Sequence, residues 1–138
     1  MLWLATAGVV LWAAVLFVLP IYLRHAAINE LKKLGTLVIS DDGVSFRLTD
    51  RDLKSVDRLG VLLRRVRCKK LALALWGTPV SDLSPLAGLS GLTSLDLRDT
   101  SVSDLSPLAG LKKLAVVLLR SGQVVRIPEH LQGVIKRL

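Results

Sequence analysis

Cysteine, histidine and aromatic side chains are scarce in this chain: one cysteine, two histidines and 4% aromatic residues among 138. The lone Cys68 excludes an intramolecular disulfide, which fits a reducing compartment without requiring one. Its position near a strand start predicts a half-buried thiol rather than a reactive one. His25 and His130 stand far apart, and no metal-ligand spacing, glycine-rich phosphate loop or nucleophile motif accompanies them. Asp82 and Asp104 recur in one column, but two carboxylates without further oxygen ligands fall short of a calcium site; turn or helix capping is the role expected of them. The chain reads as a non-enzyme, with no cofactor and no metal.

Charge is also missing from one long stretch. Residues 2–23 contain no charged side chain, and twelve of them are Leu, Ile, Val or Phe. As a helix they would span about 33 Å at about 1.5 Å per residue, enough for a hydrocarbon core of about 30 Å. A cleaved signal peptide would need basic residues before a shorter apolar core and small residues at the cleavage positions; Arg24-His25-Ala26-Ala27 is a poor site. The expectation is one uncleaved transmembrane helix over 1–23 in a single-pass membrane protein. Arg24, Lys32 and Lys33 follow the span, so the positive-inside rule favours the cytoplasm over the extracytoplasmic side for the rest of the chain.

What the chain does have is a duplication. Val80 to Leu89 and Val102 to Leu111 both read VSDLSPLAGL, twenty-two residues apart. The register extends outward: Leu73, Leu75, Thr78 and Leu92 become Leu95, Leu97, Thr100 and Leu114. A third, decaying copy follows through Val117, Leu119, Gly122 and Val124. Each copy changes period midway. Leu95-x-Leu97 alternates like a strand, whereas Leu105-x-x-Leu108-x-x-Leu111 has a period near three. Ser84-Pro85 and Ser106-Pro107 read as helix starts. Such units cannot bury enough alone and must stack, which pairs their strands into a parallel sheet.

The string LTSLDLRDTSVSDLSPLAGLKKL, Leu92 to Leu114, resembles a leucine-rich repeat of the twenty-two-residue, internalin-like type. The resemblance covers residues 70 to about 125. It implies an α/β fold, a short curved solenoid of about three repeats, with a concave strand face that binds protein ligands and no catalytic residues. Lys70 departs from it by standing where leucine is expected.

Between the apolar segment and the repeats, His25 to Leu34 predicts a helix stopped by Gly35. Thr36–Ile39 and Val44–Leu48 predict a hairpin around Asp42-Gly43. Thr49-Asp50-Arg51-Asp52 resembles a capping box for a helix ending near Val66, with Leu53, Val56, Leu59, Leu63 and Val66 turned inward. At the other end, Leu131, Val134, Ile135 and Leu138 predict a C-terminal cap helix. The expected organisation is therefore a transmembrane helix over 1–23, a helix, hairpin and capping helix over 24–69, and repeats with their cap over 70–138.

Two surfaces carry the functional expectations. Side chains alternate across a strand, so the outward columns are Ala72, Ser94 and Val116; Ala74, Asp96 and Leu118; and Trp76, Arg98 and Arg120. Parallel strands lie about 4.8 Å apart, which sets Trp76 beside Arg98 and Arg98 beside Arg120. Tryptophan and arginine dominate binding hot spots. The expected protein-binding site is thus Trp76, Asp96, Arg98, Leu118 and Arg120, for an unidentified protein ligand. The alternative is a structural or anionic-lipid-binding role for the basic segment Arg64, Arg65, Arg67, Lys69 and Lys70, in a chain whose formal charge is +8, with residues 2–23 as a further membrane contact. No nucleic acid is expected, because no aromatic interleaving accompanies the cations.

Overall fold

The computed structural model describes residues 18–41, 43–49 and 54–138. Among these, helix α1 (Leu19–Leu34) leads into a hairpin of β1 (Gly35–Ile39) and β2 (Val44–Leu48), and α2 (Lys54–Val66) follows. Strands β3 (Leu71–Ala74), β4 (Leu92–Asp96) and β5 (Val116–Leu119) come next. They alternate with short 3₁₀ turns at Ser84–Leu86 and Ser106–Leu108, and a 3₁₀ segment at Glu129–Val134 precedes β6 (Ile135–Arg137). The six strands form one sheet in chain order, antiparallel between β1 and β2 and parallel from β2 to β6.

The expected architecture is corrected here. The described residues form an α/β fold around a single six-stranded mixed sheet, not a leucine-rich-repeat solenoid. The reason lies in the hairpin. Phe46 of β2 is the parallel partner of Leu73, and Leu37 of β1 is the antiparallel partner of Phe46. One inward row, buried from Phe46 to Val117 and partly buried at its ends, therefore runs Leu37, Phe46, Leu73, Leu95, Val117, Ile135 across all six strands. The hairpin extends the sheet instead of closing a stack of repeats.

The transmembrane reading is corrected as well. No described helix is long and apolar enough to cross a membrane. Helix α1 has 16 residues, about 24 Å at about 1.5 Å each, carries Arg24, Glu30, Lys32 and Lys33, and buries Ala27, Leu31 and Leu34 in the common core. Most of the expected span, residues 1–17, lies outside the described residues, as do Asp42 of the expected hairpin turn, Asp50 to Asp52 of the expected capping box and Leu53, expected to face inward. The single-pass localisation, and the cytoplasmic placement that depended on it, accordingly have no support in the described structure.

Gly35 ends α1 with an extended backbone, φ 179°. What requires glycine there is proximity: a Cβ would lie 2.0 Å from the Arg47 carbonyl oxygen across the hairpin. Helix α2 is pressed against the first repeat in a similar way, since a Cβ on Gly60 would meet the Pro85 oxygen at 2.3 Å. Val56, Leu59, Leu63 and Val66 point inward from α2 and are buried. The C-terminal segment differs from the helix expected of it. Leu138 N donates to Leu119 O at 3.0 Å and Ser121 N to Leu138 O at 2.7 Å, so the open side of β5 captures this segment as a strand.

The two copies of the decapeptide fold alike. Asp82 Oδ1 accepts from Ser84 N (2.8 Å) and Ser84 Oγ (2.7 Å), and Asp104 Oδ1 from Ser106 N (2.9 Å) and Ser106 Oγ (2.6 Å). The aspartates, not the serines, cap these turns. Those hydrogen bonds hold both carboxyls below their ordinary range. Inside the loops, Thr78 Oγ1 donates to Leu75 O at 2.6 Å and Thr100 Oγ1 to Leu97 O at 2.7 Å.

Candidate functional site

The side of the sheet opposite the core is open, and its rows follow from the register. One runs Val38, Ser45, Ala72, Ser94, Val116; the next runs Thr36, Arg47, Ala74, Asp96, Leu118, Lys136. Alanine and serine at the centre leave a groove of about 510 Å³, walled by Thr36, Val38, Arg47, Asp96 and Leu118. Val38 is 56% exposed. The groove is therefore a floor of short side chains between an apolar edge and a pair of opposite charges.

Trp76, Arg98 and Arg120 lie just past the strand ends. The ladder continues to the first two: Leu75 N donates to Asp96 O and Gly77 N to Arg98 O, both at 2.9 Å. Trp76 is 46% exposed. Its ring is covered not by Arg98 but by Arg47, whose Cζ sits 5.6 Å from the ring centroid. Such a contact orders both side chains while leaving the second face of the indole open.

Arg98 turns back along its own chain. Nε donates to Asp96 Oδ1 at 2.9 Å, Nη2 to Oδ2 at 2.7 Å and the backbone N to Oδ1 at 3.2 Å. The paired carboxylate pushes the Arg98 guanidinium above its ordinary range. A bidentate fork of this kind fixes a plane rather than a point. Arg120 Nη1 reaches Asp99 Oδ1 at 2.6 Å, and Asp99 adopts φ +56°, a left-handed conformation that aspartate tolerates better than most residues. Arg98 and Arg120 are thus each neutralised by a carboxylate, and the expected stack of Trp76, Arg98 and Arg120 side chains is replaced by Arg47 on Trp76 beside two ion pairs.

Arg47 is the residue that sequence reasoning missed. A signal existed: the alternation Val44, Phe46, Leu48 inside and Ser45, Arg47 outside puts Arg47 on the open face. What was absent was the parallel pairing of β2 with β3, which aligns Arg47 with Ala74.

The basic segment is elsewhere. Arg64 and Arg65 occupy the last turn of α2, Arg67 leaves the helix at φ +48°, and Lys69 and Lys70 lead into β3. Arg64 Nη2 donates to Pro85 O at 2.9 Å, so this arginine also ties α2 to the first repeat. Cys68 is half-buried, and burial pushes its thiol up.

Fold and site together define a small α/β protein with an ordered, unfilled sheet face. No protein family, curated protein or solved structure matches this chain. The resemblance of residues 70 to about 125 therefore rests on those residues alone.

Proposed function

We propose that this chain is a non-catalytic binding protein that engages a protein partner across the open sheet face, with Trp76, Asp96, Arg98, Leu118 and Arg120 as contacts and Arg47 added to them. The observation that carries the reading is the Arg47–Trp76 stack at the end of a groove floored by Ala72, Ala74 and Ser94. A rigid aromatic anchor beside a desolvatable apolar floor is the arrangement from which hot spots are built. Charge refines the partner. Asp96 and Asp99 neutralise Arg98 and Arg120, whereas Arg47 and Lys136 take part in no ion pair among the described residues. The segment that fits places an apolar side chain over the alanines and a carboxylate toward Arg47.

The test is affinity capture with the full chain and with the triple variant Trp76→Ala, Arg98→Ala, Arg120→Ala. Loss of a hot spot worth about 2 kcal/mol lowers affinity about thirtyfold. Unchanged recovery of the same partner by the variant overturns the site.

A further inference from the structure

A second face lies at the helical side of the molecule. In α1 and the residue before it, Val18, Leu19, Ile21, Tyr22 and Leu23 are all exposed, Ile21 and Tyr22 at 58% and 69%. Single exposed apolar residues are ordinary, but five within six consecutive positions form a patch that needs an occupant. The sequence leading into it, residues 2–17, adds no charge.

Cations border this patch on one side. A groove of about 560 Å³ is shared by Leu19, Pro20, Ile21, Leu23 and Arg24 of α1 and by Arg64, Arg65 and Arg67 at the end of α2. It adjoins a cleft of about 410 Å³ that repeats Arg64 and Arg67 and adds Lys69 and Lys113. Neither is lined by a carboxylate, and the ion pairs among the described residues involve none of these cations. Like charges gathered without counter-charge repel one another, so their ligand is anionic. The adjoining apolar residues require that the same ligand also accept hydrocarbon. An acidic protein supplies the first property alone; an anionic bilayer surface supplies both within one contact, with tyrosine at the interfacial level and arginines on headgroup phosphates.

We propose that this face docks peripherally on an anionic phospholipid surface. Val18 to Leu23 seat at the headgroup–acyl boundary, and Arg24, Arg64, Arg65 and Arg67 contact the phosphates. The inference goes beyond the sheet-face reading and uses a different surface, so each can fail alone.

The experiment is co-sedimentation of the full chain with phosphatidylcholine vesicles and with vesicles of equal phosphatidylcholine and phosphatidylglycerol. Each basic residue near an anionic surface raises partitioning about fivefold, so binding to the mixed vesicles exceeds binding to neutral ones by more than tenfold and weakens with added salt. Arg24→Glu/Arg65→Glu changes two side chains that make no hydrogen bond among the described residues and removes this preference; Arg126→Glu/Lys136→Glu, an equal charge change on other surfaces, retains it. Circular dichroism checks that both variants are folded, and Arg24→Gln/Arg65→Gln, expected to lose part of the preference, replaces the first should it unfold. Equal binding to both vesicle types overturns the proposal, as does a preference left undiminished by the Arg24/Arg65 changes. Self-association abolished by Ile21→Asn/Leu23→Asn, without dependence on anionic lipid, assigns the face to a second copy and overturns it too.

Discussion

The repeat loops and the strand face belong to the same residues' worth of chain, yet they obey different constraints. In the loops, two identical decapeptides yield matching 3₁₀ turns, matching aspartate caps and the same buried side chains, Val80, Leu83, Leu86 in one and Val102, Leu105, Leu108 in the other. On the strands the inward positions stay aliphatic while the outward ones diverge: Ala74, Asp96 and Leu118 are ladder partners with nothing in common. Identity between copies reports shared packing. Divergence between copies marks the face free to acquire specificity, and that face holds the groove, the Trp76 anchor and the two ion pairs.

Breaking the packing side produces the largest effect. Leu105 is fully buried, and Leu105→Ala is expected to cost about 2–5 kcal/mol, read as a lower urea midpoint with partner affinity retained in the fraction that remains folded. Next is Trp76→Ala on the face side. Its stability loss is only about 0.5–1 kcal/mol, the worth of an exposed cation–π contact, while partner affinity falls about thirtyfold. A stability loss as large as that of Leu105→Ala, with affinity intact, would erase the distinction between the two regions.

The aspartate caps sharpen it by equality. Asp82→Ala and Asp104→Ala are expected to lower stability by similar, smaller amounts, because the geometry is duplicated. Both carboxyls are held below their ordinary value of 3.8, first by the hydroxyls of Ser84 and Ser106 and then by the backbone N–H groups. A depressed folded-state value means the contribution is present above pH 3.8 and is lost as pH falls through the folded pKa. Denaturation series at neutral and acidic pH should show the gap between variant and parent closing on acidification.

The smallest effect is expected at Asp99. Glycine suits its φ of +56°, and an exposed ion pair contributes about 0–1 kcal/mol. Asp99→Gly should leave the melting temperature nearly unchanged while releasing Arg120, which a partner titration would register.

Much of this was legible in the sequence. The leucine periods located the strands and turns, and the Asp-Gly pair located the hairpin. The parts that were not legible depend on long-range pairing. Leu131, Val134, Ile135 and Leu138 have helical spacing, yet β5 offers unpaired backbone groups and Ile135 becomes the partner of Val117. Likewise the hairpin reads as a separate cap until Phe46 is seen beside Leu73. That one pairing turns an expected solenoid into a mixed sheet and brings Arg47 to Trp76. Periodicity specifies which face of an element is buried; it does not name the neighbour that buries it.

Site-specific photo-crosslinking tests the central claim most directly. A photoreactive residue placed at Ala74 or Leu118 on the face, or at Ser81 or Ser103 on the exposed side of the loops, probes the two regions in the same folded chain. Partner adducts from positions 74 and 118, and none from 81 and 103, are the predicted result. Adducts from the loop positions alone would contradict the account, because they would place function on the duplicated surface instead of the divergent one.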